Sequence, residues 1–152
     1  MPATAATSGG ETLSGTIVFA AEPGATTRTV IASVVVAEGA FRSVGRFVEV
    51  VPGDLVSQDD LVFPGGTLHV VSTLGSPSPF SLDPHSCMFT GTSPLTWQVT
   101  GGTGQFAGTT GTLTGTVSGR ALFARNPDGS CSFVPPPLHE VDKFEESGSL
   151  SF

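Results

Sequence analysis

From Thr12 onward apolar and polar residues alternate: Leu13, Ile17 and Phe19 share one face and Thr12, Ser14 and Thr16 the other, until Pro23-Gly24 breaks the pattern. A two-residue period of this kind predicts a β-strand with one buried face. Residues 27–38 are dense in β-branched side chains (Val30, Ile31, Val34, Val35 and Val36), which predicts a strand buried on both faces. Residues 41–51 form the next strand, with Phe41, Ser43, Gly45, Phe47 and Glu49 in one register and Arg42, Val44, Arg46, Val48 and Val50 in the other. Further strands are expected over 60–63, 68–74, 86–90, 95–100, 112–125, 131–134 and 141–152, the last beginning with an acidic, exposed portion. Pro52-Gly53-Asp54, Pro64-Gly65-Gly66, Ser93-Pro94 and Asn126-Pro127-Asp128-Gly129 supply the turns between them. Residues 1–11 are small and polar and read as a flexible arm, leaving 12–152 as a single domain.

No window carries apolar residues at helical spacing, so the chain is expected to be all-β. About eight antiparallel strands in a closely spaced meander suggest a closed barrel, because closure removes exposed edges; a β-sandwich is the alternative. Composition agrees with strands and turns. Only 12% of the 152 residues are charged, and Gly numbers 20 and Pro 12. The net charge of −7, without a Lys/Arg cluster, excludes the electrostatic footprint that nucleic acids or anionic membranes require. The longest apolar stretch, 30–37, is too short to span a bilayer, and the N-terminus shows no export signal. The expected location is therefore the cytoplasm, or outside the cell if a signal has been removed. On that reading Cys87 and Cys131 are expected to be reduced, although their disulfide would close a long loop and stabilise the domain.

The most distinctive stretch is Gly101-Gly102-Thr103-Gly104-Gln105-Phe106-Ala107-Gly108-Thr109-Thr110-Gly111, flanked by Thr96-Trp97-Gln98-Val99 and Thr112-Leu113. Its glycines allow positive φ and close backbone approach at a corner, and Phe106 can plug a barrel end. A phosphate loop is rejected here, since a Thr-rich strand follows where a helix and a Lys would be needed. The stretch resembles the Gly-Gly-x-Gly-x-Phe-x-Gly-x-x-Gly signature of the allene oxide cyclase barrel superfamily, which includes plant allene oxide cyclases, dirigent proteins and smaller bacterial relatives. Pro52-Gly53-Asp54-Leu55-Val56 with Asp59-Asp60-Leu61-Val62-Phe63 is similar to a second, weaker segment, so the resemblance spans about residues 45–120.

The resemblance implies a barrel that binds an apolar or aromatic small molecule and steers its cyclisation or coupling, without metal or nucleotide, often as a dimer or trimer. It carries no catalytic residue over to this chain. Candidate chemistry therefore comes from the residues themselves. Glu49, in register with Phe41 and Phe47, becomes a desolvated acid or base if that face lines the lumen, and otherwise faces water. Arg42 and Arg46 hold a substrate carboxylate or carbonyl if the opposite face is inward. His69 is placed mid-strand for proton transfer or a structural role, and His85 lies near Cys87 at a loop-to-strand junction. Trp97 is either core or, with Val71, part of a ligand wall. No metal site is expected from the spacing of His and Cys, and no Gly-x-Ser-x-Gly elbow is present.

Three functions follow from these observations. The first is a cofactor-free cyclase or isomerase of bacterial secondary metabolism acting on a polyene or polyketide-like molecule, with Glu49 and His69 as its acid–base groups. The second is a dirigent-like stereo-guiding or binding protein without acid–base catalysis. The third is a structural β-protein with a filled lumen.

Overall fold

In the computed structural model, which describes residues 7–152, five strands pair in sequence order as an antiparallel meander. They are β1 (Ser8–Ala20), β2 (Thr29–Gly39), β3 (Ser43–Val51), β4 (Val56–Phe63) and β5 (Gly66–Leu74). On the other side of β1 follow β9 (His139–Ser151), β8 (Thr110–Leu122) and β7 (Met88–Gly102), again all antiparallel. Seven residue pairs between β5 and β7, from Leu68 with Gly102 to Leu74 with Leu95, close the ring. The result is an eight-stranded antiparallel barrel, with β6 (Phe80–Asp83) outside the ring on the first residues of β7. Closure satisfies the edges that an open meander would expose.

Several local expectations are revised. Ser8 to Glu11 belong to β1, where they pair with β9 as far as Ser151, so the proposed arm is structured from Ser8 on; residues 1–6 lie outside the described residues. Ladder hydrogen bonds come from the backbone and need no apolar side chain. β2 has one solvent face, with Val35 and Ala37 inside and Ile31 58% exposed, because a barrel wall buries only its inner side. The segments 86–90 and 95–100 are one strand. Pro94, which has no N–H to give, sits where β7 leaves β6 at Gly91 and meets β5 at Leu95. The expected strand at 131–134 is reduced to a single bridge between Arg125 and Cys131.

The glycine motif forms the expected corner. β7 ends at Gly102, a single 3-10 turn covers Gly104–Phe106, and β8 follows. Gly104 requires its glycine: its φ is +58°, and an added Cβ would lie 2.4 Å from the Gly65 carbonyl oxygen. Phe106 is buried and packs edge-on against Phe41 (ring centroids 4.7 Å), beside Phe63 and Phe152. These rings plug the barrel end formed by the β2–β3, β4–β5 and β7–β8 connections. The opposite end is formed by the starts of β2, β4, β7 and β9.

At the opposite end Cys87 and Cys131 form a disulfide with Cα atoms 5.4 Å apart, which corrects the expectation of free thiols. Spacing alone does not bring these cysteines together; the Asn126–Gly129 turn and the Arg125–Cys131 bridge do. Thiol titration of the unreduced, denatured protein is expected to find no free thiol. A Cys87→Ser/Cys131→Ser variant should lose about 2–4 kcal/mol in urea unfolding, given the length of the loop released.

Candidate functional site

Strand alternation sends alternate side chains of each strand into the lumen. On β3 the inward set is Phe47 and Glu49, while Arg42 and Arg46 are exposed on the outside. This settles which of the two registers faces the core. Trp97 from β7 is fully buried and meets Phe144 from β9 edge-on, with centroids 4.9 Å apart. Above this aromatic floor lies a narrow shaft of about 90 Å³, lined by Ile17, Phe19, Phe47, Leu95 and Val117 together with Glu49, Asp59, Ser72 and Asp142. It widens into a mouth of about 820 Å³ between the Pro52-Gly53-Asp54 turn, Leu74, Phe89, Phe123 and the Phe133 to Pro137 segment.

The mouth is acidic. Among the described residues, Glu49, Asp54, Asp59, Glu140 and Asp142 line the mouth and shaft, against Arg28 as the one basic side chain. Arg28 is held by an ion pair with Glu140, and its guanidinium lies 3.8 Å over the Phe19 ring. Asp59 accepts hydrogen bonds at Oδ2 from Ser57 (2.6 Å) and Ser72 (2.5 Å), yet Oδ1 is buried without a partner. Burial raises its pKa; the two hydroxyls oppose that shift, and neighbouring Asp60 adds to it. Asp142 is pushed up to about 8, by burial first and by the Glu140 carboxylate next. Gly119, its cross-strand neighbour, leaves space for this carboxyl: an added Cβ would meet Asp142 Oδ1 at 2.7 Å. Glu49 is raised by burial and by Asp59 and Glu140, with Arg28 opposing.

Other predicted residues lie elsewhere. His69 is on the outer wall, its Nδ1 2.7 Å from Asp60 Oδ1. Val71 also faces outward, between the inward Val70 and Ser72. His85 is exposed in the loop before β7, its N–H donating to Asp83 Oδ1 and its carbonyl accepting from Arg125. Phe41 belongs to the plug. Of the nine predicted residues, the shaft gathers Glu49, Phe47 and Trp97.

Sequence reasoning missed Arg28, Asp59, Glu140, Asp142 and Glu146. Asp59 is in phase with Leu61 and Phe63, and Asp142 and Glu146 are in phase with Phe144 and Leu150, so each carboxylate occupies an inward position. That parity was the available signal. Glu146 lies on the plugged side of Phe144, fully buried, with both oxygens unpartnered, and its burial raises its pKa to about 8. Among the described residues no cluster of His, Cys, Asp or Glu is arranged to hold a metal ion, and no helix is long and apolar enough to cross a membrane. Comparison with known protein families, with curated proteins and with solved structures gives no match.

The buried acid makes a pH prediction. A carboxyl whose folded pKa exceeds its unfolded value binds more protons in the fold, so its contribution is fully present below the unfolded value. For Glu146 that stability is lost as pH rises from 4.5 to about 8. Glu146→Gln, which cannot ionise, should therefore reduce the drop in melting temperature between about pH 6 and about pH 9, as followed by circular dichroism. An unchanged drop would show that Glu146 does not carry it.

Proposed function

We propose that the chain binds a small, largely apolar molecule at the open end of the barrel and moves a proton on it without a cofactor, in a cyclisation or isomerisation. The observation that carries this reading is that Asp142 and Asp59 both line one largely apolar shaft. Asp142, held protonated by burial and by Glu140, is the acid; Asp59, with Oδ1 free and Oδ2 anchored by two serines, is the base. Glu49 lies in the same lining and holds the substrate's polar end. The shaft of about 90 Å³ admits only the end of a ligand, so the body of the molecule lies in the mouth. Phe47, Trp97 and Phe144 supply apolar walls that fix its orientation.

The resemblance of the glycine motif to the allene oxide cyclase barrel superfamily supports the same reading, as does the closed barrel. Substrates of secondary metabolism suit such a site. A stereo-guiding role without acid–base chemistry is the second reading, favoured by the aromatic walls that Phe47, Trp97 and Phe144 present to the shaft. The Cys87–Cys131 disulfide supports an oxidising compartment, hence a chain acting outside the cytoplasm. Exposed Ile31, Val44 and Val50 on the outer wall fit self-association as a dimer or trimer.

A β,γ-unsaturated cyclic ketone tests the chemistry, because its conjugation requires one proton removed and one added. The protein in D2O should isomerise this probe with deuterium incorporation seen by NMR. Asp59→Asn and Asp142→Asn should each slow it by about 100-fold, while His69→Ala leaves it unchanged. Full rates in both Asp variants would contradict the assignment. Quenching of Trp97 fluorescence without isomerisation would favour the stereo-guiding reading.

A further inference from the structure

The electrostatics of the mouth restrict what it can hold. Five carboxyl groups line the mouth and shaft among the described residues, and the one cationic side chain, Arg28, is already engaged by Glu140 and the Phe19 ring. An anionic ligand would meet acids on every side, and no uncommitted basic group lines the mouth or shaft to receive it. Asp59 adds a second, independent sign. It is 2% exposed, it lines the shaft, and its Oδ1 has no hydrogen-bond partner. A buried carboxylate oxygen left unpaired is costly unless a donor or cation completes it. Arg28 shows the pattern that suits this end of the barrel: a delocalised cation between a carboxylate and an aromatic face.

We infer that the occupant of the mouth is a cationic amphiphile, an amine or quaternary ammonium on an apolar body, with its nitrogen among Glu49, Asp59 and Asp142. The inference rests on the reading of this mouth as the binding site and names the class of molecule it takes. The apolar body lies against Phe89, Phe133 and Leu74 at the mouth. The charged and titratable groups facing the nitrogen are Arg28 from the β1–β2 loop, Glu49 from β3, Asp54 from the β3–β4 turn, Asp59 from β4, and Glu140 and Asp142 from β9. A cation among them favours their ionised forms, so binding releases protons and tightens as pH rises.

Calorimetric titration of the full chain with decyltrimethylammonium and decanoate below their micelle concentrations, and with decanol below its solubility limit, tests this. The ammonium carries a charge that pH does not change. It should bind at least about 10-fold tighter than decanol, with decanoate weakest, and its advantage should grow between about pH 7 and about pH 9. Asp59→Asn should cut that advantage to about 2-fold; Glu49→Gln gives the same comparison if Asp59→Asn melts early. Decanol binding as tightly as the ammonium, or decanoate binding best, would overturn the cationic class while leaving the mouth as a binding site. Binding of none of the three would overturn both.

Discussion

The ladder between β5 and β7 is the contact on which the rest of the molecule depends. Seven residue pairs turn an open meander into a ring, and only a ring divides the chain's alternating side chains into an inside and an outside. The chain spends few charges, 12% of its residues, and still places a cluster of carboxylates within the ring's inner end and mouth. Closure gives those carboxyls their unusual setting. In an open sheet Asp59, Asp142 and Glu146 would face water. Inside the barrel they share low-dielectric space with Trp97, Phe144 and Phe47, and burial holds all three above the ordinary range.

The two ends of the barrel divide the work. One end is sealed by Phe41, Phe63, Phe106 and Phe152, brought together by the tight glycine corner. Among the described residues, sealing it makes the lumen a blind shaft approached through the mouth. The other end is wide, and Cys87–Cys131 ties the long 126–137 excursion to the start of β7 there. A loop of that length would otherwise be free to leave the rim. Burying unpaired acids costs stability, and proteins retain such costs where binding or chemistry needs them. At this site the cost falls on the residues that face the shaft.

Much of the architecture was legible in the pattern. The two-residue period, most of the Pro/Gly turns and the Gly101–Gly111 corner with buried Phe106 carried through to the barrel, whereas Ser93-Pro94 lies within β7 and Glu49 takes the lumen side of two placements its register left open. The acids were harder to read for a physical reason. Starting the fourth strand at Asp60 rather than Val56 left Asp59 outside the alternation, and the acidic start of β9 looked like a solvated face. A run such as Glu140-Val141-Asp142 reads as exposed unless the inward phase is fixed from Phe144 and Leu150. His69 misled in the opposite way: a mid-strand imidazole looked functional, but its parity sends it outward to Asp60. The Cys87–Cys131 pairing was visible in the sequence, but free thiols were expected from the cytoplasmic reading, and residue pattern carries no information on redox compartment.

Barrel closure, on this reading, keeps Asp142 and Glu146 protonated near neutral pH. The most direct measurement is a carbon-13 NMR titration of the side-chain carboxyl signals of the ligand-free protein. The expected result is that Asp142 and Glu146 lose their protons near pH 8, with Asp59 also above the ordinary range. If Asp142 and Glu146 instead titrate at the usual values of 3.8 and 4.5, the lumen is wet and the account is contradicted.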